Sequence, residues 1–103
     1  MIVLREKFGK LVRLTSERQS HITRRPEMMG QISKIKKTLA EPEIIRRSRK
    51  DLDVYLYYRR YKRSPVSDKY LLVVVKMAAS PFVITAFFTD KLKPGETLWP
   101  NSR

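Results

Sequence analysis

The sequence predicts an α+β domain in which two N-terminal helices pack on one face of a four-stranded antiparallel sheet, with room for an extra N-terminal strand or hairpin. Apolar residues recur at helical spacing before Pro42 and with a period of two after it. The later β-rich segments follow one another at hairpin spacing. A chain of 103 residues supports one hydrophobic core, so residues 1–103 are predicted to form a single domain.

The two predicted helices lie before Pro42. Ser16 is the predicted N-cap of the first helix, which runs over residues 17–25. Pro26 ends that helix and suits the first turn of the next one. The second helix carries a single apolar stripe with spacings of four, three and four, formed by Met28, Ile32, Ile35 and Leu39.

The predicted strands are β-rich segments separated by turn-forming residues. Residues 2–15 predict two short extended pieces around Gly9, as in a hairpin. The last two strands of the main sheet are apolar on both faces and are expected to lie at its centre. The four main strands are Ile44–Arg49, Val54–Tyr61, Tyr70–Lys76 and Phe82–Thr89.

The net charge of +13 is the strongest global signal for a partner. A surface this basic attracts polyanions, and RNA is the leading predicted partner. The absence of cysteine fits a reducing cytoplasm. No apolar run approaches the ~20 residues of a membrane span, so no membrane partner is predicted. A second copy of the chain stays open as a partner, through unpaired strand edges.

The strand over residues 54–61 alternates between two kinds of face. Val54 and Leu56 begin an apolar face, which we expect to pack under the helices. The other face interleaves tyrosine with arginine, and aromatic rings can stack on bases while guanidiniums hold phosphates. An ordinary solvated face is the equal alternative. The predicted nucleic-acid platform comprises Tyr55, Tyr57, Arg59 and Tyr61, with further charge from Arg46, Arg47, Arg49 and Lys50.

The residue inventory argues against several kinds of catalytic site. One histidine, no cysteine and scattered acidic residues offer no recognisable metal-binding motif, and no metal or other cofactor is predicted. RNA cleavage needs neither, because the 2′-OH of RNA is an internal nucleophile. Such cleavage requires proton transfer and cations around the phosphate. His21, the only imidazole, has Arg18, Arg24 and Arg25 at helical spacing and is the candidate proton carrier.

The ordered run of segments resembles the phage-associated barnase–EndoU–colicin–RelE-like (BECR) nucleases, a group of metal-independent ribonucleases. The resemblance covers roughly residues 21–99, and no single segment is a strong motif. It implies two helices on a four-stranded antiparallel sheet, an active site on the sheet's open side near the first helix, and toxin-like or phage-associated RNA cleavage. The matching segments are HITRRPEM, TLAEPEIIRRSRKD, VYLYYRRY, KYLLVVVK and FVITAFFTDKLKPGETLW.

Residue by residue, the resemblance assigns site positions in this chain. The helix histidine corresponds to His21, and the basic strand cluster to Arg47, Ser48 and Arg49. The strand-end lysine is Lys76, and the hydroxyl of the last strand is Thr85, which alternation places on one face with Val83 and Phe87. One departure concerns Arg25-Pro26-Glu27, where relatives tend to read His-Pro-Glu. The implied catalytic set is therefore His21, Arg25, Arg49, Lys76 and Thr85, with Arg24 among the RNA contacts.

Two other functions stay open from the sequence. A non-catalytic RNA- or DNA-binding module would use the tyrosine–arginine face and form no products. A toxin–antitoxin component would have its basic surface covered by an acidic, antitoxin-like protein. These alternatives predict salt-sensitive binding without cleavage and co-purification of an acidic partner, respectively.

Overall fold

The computed structural model of the chain describes residues 1–64 and 67–101. Within these ranges the chain forms seven strands and two α-helices, and a short 3₁₀ turn at Pro26–Met28 separates the helices. No helix in these ranges is long and apolar enough to cross a bilayer. The elements are β1 (Ile2–Arg5), β2 (Leu11–Leu14), α1 (Ser16–Thr23), α2 (Ile32–Ala40), β3 (Ile44–Ser48), β4 (Val54–Ser64), β5 (Ser67–Lys76), β6 (Phe82–Thr89) and β7 (Gly95–Trp99).

All seven strands belong to one mixed sheet with the order β1-β2-β6-β5-β4-β3-β7. The prediction of a four-stranded antiparallel sheet is therefore wrong. Strands β3 to β6 pair antiparallel in succession, but the N-terminal hairpin joins β6 through a parallel contact at Arg13 and Phe82. Strands β2 and β6 are not joined by a hairpin, because both helices and strands β3 to β5 lie between them in the chain, so the pair is not restricted to the antiparallel arrangement. Strand β7 then pairs antiparallel with the free edge of β3.

The sheet is curved so strongly that its two ends meet. The β1–β2 turn lies at one end of the strand order and β7 at the other, yet the Lys7 Nζ lies 3.7 Å from the centroid of the Trp99 ring. The rings of Phe8 and Trp99 stack edge to face at 6.4 Å. Glu6, in the same turn, is buried and accepts a 2.8 Å hydrogen bond from the Tyr57 hydroxyl of β4. These contacts close the sheet around the helices.

The main hydrophobic core lies between the helices and the concave face of the sheet, here called the helix face. From the helices, Ile22, Ile35 and Leu39 are buried. They belong to one core cluster with buried residues of six strands of the sheet, β1 to β6, which alternate with residues of the opposite face. The strand residues in this core include Ile45, Tyr57, Leu71, Val73, Val75, Val83 and Ala86.

The helix boundaries differ slightly from those expected. The N-cap of α1 is Thr15, whose Oγ1 accepts a 3.2 Å hydrogen bond from the amide of Arg18. The predicted cap, Ser16, is instead the first helical residue. The second helix does not start at Pro26 but at Ile32, because Gly30 has φ +74°, which interrupts a right-handed helix.

Candidate functional site

A groove of about 520 Å³ opens on the face of the sheet opposite the helices, here called the groove face. Its floor consists of four apolar side chains from the three central strands: Val54, Leu56, Val74 and Phe87. Three cationic side chains lie among its walls and come from two different loops, Arg49, Lys50 and Lys93. Ser48, Thr85 and Pro94 complete the lining. The combination of an apolar floor and a cationic rim suits an anionic ligand that also has an apolar part.

The segment between β6 and β7 crosses the groove face and forms one wall of the groove. The amide of Lys93 donates a 2.9 Å hydrogen bond to the buried Tyr58 hydroxyl. Arg46 Nη1 donates a 2.8 Å hydrogen bond to the carbonyl oxygen of Lys93. Leu92 packs on a small hydrophobic cluster of the same face, formed by Leu56, Tyr58 and Leu72. Arg46 thus anchors the crossing segment.

A β-bulge in β6 decides which of its side chains face the groove. Val74 pairs with Thr85, but the next residue of β5, Val75, pairs with Val83, so Ile84 is an extra residue. Val83 is consequently buried in the core of the helix face, while Thr85 and Phe87 line the groove. The prediction that Val83 shares a face with Thr85 is wrong for this reason.

The hydroxyl of Thr85 is buried, although the residue lines the groove. Among the described residues, no group forms a hydrogen bond with Thr85 Oγ1. A buried hydroxyl without a partner costs free energy. Thr85 lines the groove, and a rotation of about 120° about χ1 would carry the hydroxyl to another staggered position around Cβ.

The β3–β4 turn presents the cations of one rim. The Ser48 Oγ accepts hydrogen bonds from the amides of Lys50 at 3.2 Å and Asp51 at 3.4 Å. Asp51 Oδ1 accepts a further 3.0 Å bond from the amide of Asp53. These local bonds, typical of serine and aspartate in turns, hold Arg49 and Lys50 exposed at the groove.

Lys76 lies beside the groove but is engaged in an ion pair. It pairs in register with Val54 of the floor, and its Nζ lies 2.7 Å from Asp51 Oδ2. The hydrogen bond from Lys76 lowers the pKa of the Asp51 carboxyl below its usual 3.8, and the same bond raises the pKa of Lys76 above 10.5. The ion pair therefore ties the β3–β4 turn to the end of β5.

We expect this ion pair to stabilise the β3–β4 turn only over a limited range of pH. The stabilisation from Asp51 is full above pH 3.8 and is lost as the pH falls through its lower folded-state pKa. The stabilisation from Lys76 is full below pH 10.5 and is lost as the pH rises through its higher folded-state pKa. Amide NMR shifts of Lys50 and Asp53 should report the acid transition, which Asp51→Asn should remove. An unchanged acid transition in Asp51→Asn would contradict the assignment.

Arg25 connects the end of α1 to the groove. Its guanidinium carbon lies 5.0 Å from the centroid of the Phe87 ring, which forms part of the floor. His21 and Arg24 precede Arg25 by four residues and one residue, and both are exposed. Within the described ranges, the His21 imidazole takes part in no hydrogen bond or ion pair. Of the predicted catalytic residues, Arg49 and Thr85 line the groove, and Arg25 and Lys76 lie at its margins.

The predicted tyrosine–arginine platform lies on the helix face and not on the groove face, and nucleic-acid binding by these residues stays a prediction. Tyr57 is fully buried and bonded to Glu6. The Tyr61 hydroxyl donates at 3.2 Å to the carbonyl of Lys34 in α2. Arg59 Nη1 donates at 2.7 Å to the carbonyl of Glu41, which caps the C-terminal end of α2.

The arginines of β3 divide between the two faces. Arg47 lies with its guanidinium carbon 5.8 Å from the ring centroid of Tyr55, on the helix face. Its Nη1 also lies 3.7 Å from Glu96 Oε1. Arg46, on the groove face, is engaged in holding the crossing segment. Neither arginine lines the groove, although both were predicted to bind nucleic acid.

The sequence prediction missed the groove floor and its Lys93 wall. Val54 and Leu56 were expected to pack under the helices, but they lie on the opposite face with Val74. The only local signal for the crossing segment is the KLKPGE stretch, whose cations precede a proline and a glycine. Nothing in that stretch indicates that it crosses three strands.

Comparison of the chain with protein-family models, curated proteins and solved structures found no match. The function must therefore be inferred from the side chains that the fold brings to the groove.

Proposed function

We propose that the chain is a small ribonuclease-like domain that holds RNA phosphates at the rim of the groove and cleaves RNA without a metal. One observation carries this proposal. Four residues assigned to catalysis come from four separate segments, and all lie at or beside one groove with cationic walls. They are Arg25, Arg49, Lys76 and Thr85. If the basic residues served only to keep the surface solvated, these four residues would not need to lie around one groove.

The proposed chemistry uses the nucleophile that RNA carries. The 2′-oxygen attacks the adjacent phosphorus and the 5′-oxygen leaves, which gives a 2′,3′-cyclic phosphate and a free 5′-hydroxyl. His21 takes the proton of the 2′-OH, and water supplies the proton of the leaving oxygen. Arg49 and Arg25 stabilise the charge that develops on the phosphate oxygens. Arg25 stands where relatives in the resembled family tend to carry a second histidine, so it serves as a cation and not as an acid.

A second candidate function is RNA binding at the same groove without cleavage. It is favoured by the isolation of His21, whose imidazole contacts no groove side chain through a hydrogen bond or ion pair in the described part of the chain. This candidate needs only the cationic rim and the apolar floor.

Arg49→Ala tests the proposed function. Labelled single-stranded RNA is incubated with the protein in EDTA, and the products are analysed for cyclic phosphate ends. Arg49→Ala should slow cleavage by about 10-fold or more. It should also reduce the slope of log binding constant against log salt concentration by the value of about one phosphate contact. Lys36→Ala is the matched control, because Lys36 is an exposed cation on α2 that does not line the groove. Intact RNA with tight binding would favour the second candidate, and no binding would refute both.

Asp51→Asn should change RNA binding in the opposite direction. The substitution leaves Lys76 without its ion-pair partner, so its ammonium group becomes available to a phosphate. We expect tighter binding and a salt dependence steeper by about one phosphate contact. Binding measured by fluorescence anisotropy across a salt series checks this. Weaker binding would show that Lys76 acts by holding the turn and not by contacting phosphate.

A further inference from the structure

We propose that the apolar floor of the groove binds one unpaired nucleobase, so that the domain selects single-stranded over double-stranded RNA. This inference rests on the proposed function. Phosphates need only the cationic rim, whereas the floor presents four apolar side chains from three strands to the ligand. An antiparallel sheet face that meets water normally carries polar residues. The apolar floor therefore needs an apolar part of the ligand to cover it.

The dimensions of the groove suit one nucleotide. A volume of about 520 Å³ lies within the range of sites that enclose small molecules. A base that is stacked and paired in a duplex cannot enter such a cavity, because its faces are covered by neighbouring bases. The crossing segment, with Lys93 and Pro94, closes one side and further limits access to a flexible strand.

Phe87 provides the stacking surface. Its ring is half-buried in the floor, and the guanidinium of Arg25 lies on it at 5.0 Å. Bases stack on aromatic rings irrespective of their identity, and arginine adds a favourable contact to the same π system. The rim cations Arg49 and Lys50 come from the β3–β4 turn, so a base on Phe87 has cations within the same groove for its phosphate.

Few groups in the groove can read the edge of a base. The neutral polar side chains in its lining are Ser48 and Thr85, and Ser48 already accepts two backbone hydrogen bonds. Thr85 has a hydroxyl that forms no hydrogen bond with the described part of the chain. The groove should therefore accept all four bases with small differences in affinity, and Thr85 should account for most of the preference that remains.

The test compares three ligands with the wild-type protein and Phe87→Leu. The ligands are an eight-nucleotide single-stranded RNA, the same strand annealed to its complement, and a polyphosphate of similar charge. Wild type should bind the single strand at least about 10-fold more tightly than the other two. Phe87→Leu keeps an apolar side chain and should weaken single-strand binding by about 5-fold or more. Its binding of the duplex and polyphosphate should be unchanged.

The outcomes separate this inference from the proposed function. Equal affinity for all three ligands, or unchanged single-strand binding by Phe87→Leu, would overturn the base site while leaving the phosphate rim intact. No binding of any ligand would overturn both. As a second measurement, uridine without phosphate is titrated and methyl NMR shifts are recorded. Shifts at Val54, Leu56 and Val74 support the base site, and shifts elsewhere or none contradict it. Thermal unfolding of Phe87→Leu verifies that the variant folds.

Discussion

His21→Ala is expected to lower the rate of RNA cleavage by about 10²- to 10⁴-fold, the usual contribution of a positioned proton-transfer group. His21 is the only histidine in the chain, so no other imidazole can replace it. The side chain is exposed on α1, and its removal leaves the core untouched. Binding of RNA should therefore persist in the variant, while the turnover rate falls.

Single-turnover cleavage in EDTA measures this effect, with binding measured separately. Ser20→Ala is a suitable control, because Ser20 is the exposed neighbour on the same helix. A rate equal to wild type in His21→Ala would remove His21 from the mechanism. A parallel loss of binding would instead identify His21 as an RNA contact.

Tyr57→Ala is expected to lower the free energy of unfolding by about 4 kcal/mol, as for other large aromatic residues truncated in a core. The ring is fully buried on the helix face, so truncation leaves a large cavity. The substitution also removes the donor to Glu6, a buried carboxylate that closes the sheet. Burial, together with the hydrogen bond to the Glu6 carboxylate, raises the pKa of the Tyr57 hydroxyl.

Urea unfolding followed by far-UV circular dichroism measures the loss. Tyr57→Phe isolates the hydroxyl from the ring and should cost about 1–3 kcal/mol, the cost of leaving a buried acceptor unpaired. If Tyr57→Ala unfolds at the wild-type urea concentration and binds RNA more weakly, the ring acts on RNA and not in the core. That result would support the predicted tyrosine platform.

Much of the secondary structure could be predicted from local patterns. The strand expected at Phe82–Thr89 has those bounds, and the strand expected at Ile44–Arg49 ends one residue earlier. The N-terminal hairpin is present as β1 and β2. Strand β7 was missed because GETLW is short and flanked by Pro94 and Pro100, so its strand conformation depends on pairing with β3. The sheet order depends on such long-range pairings and could not be read locally.

The faces of the strands were harder to assign than the strands. Alternation along β4 correctly separates two sets of side chains, but it does not say which set meets the helices. Tyr57 and Tyr61 have apolar rings and polar ends, so they can be buried wherever the hydroxyl finds an acceptor. Those acceptors, Glu6 and the carbonyl of Lys34, are distant in sequence. The groove could not be predicted for the same reason, because its floor lies on the face of β4 that was expected to meet the helices. The bulge at Ile84 also shifts the alternation of side chains in β6.

The contact between the two ends of the sheet includes a tryptophan, whose fluorescence can report on that contact. Trp99 is the only tryptophan in the chain, and its ring is in contact with Lys7 and Phe8 across the junction. Its fluorescence therefore responds to separation of the hairpin from β7. Because the junction and the groove are formed by different residues, a change in tryptophan emission reports opening of the sheet. Ligand occupancy can then be followed by a separate label, without confusing the two events.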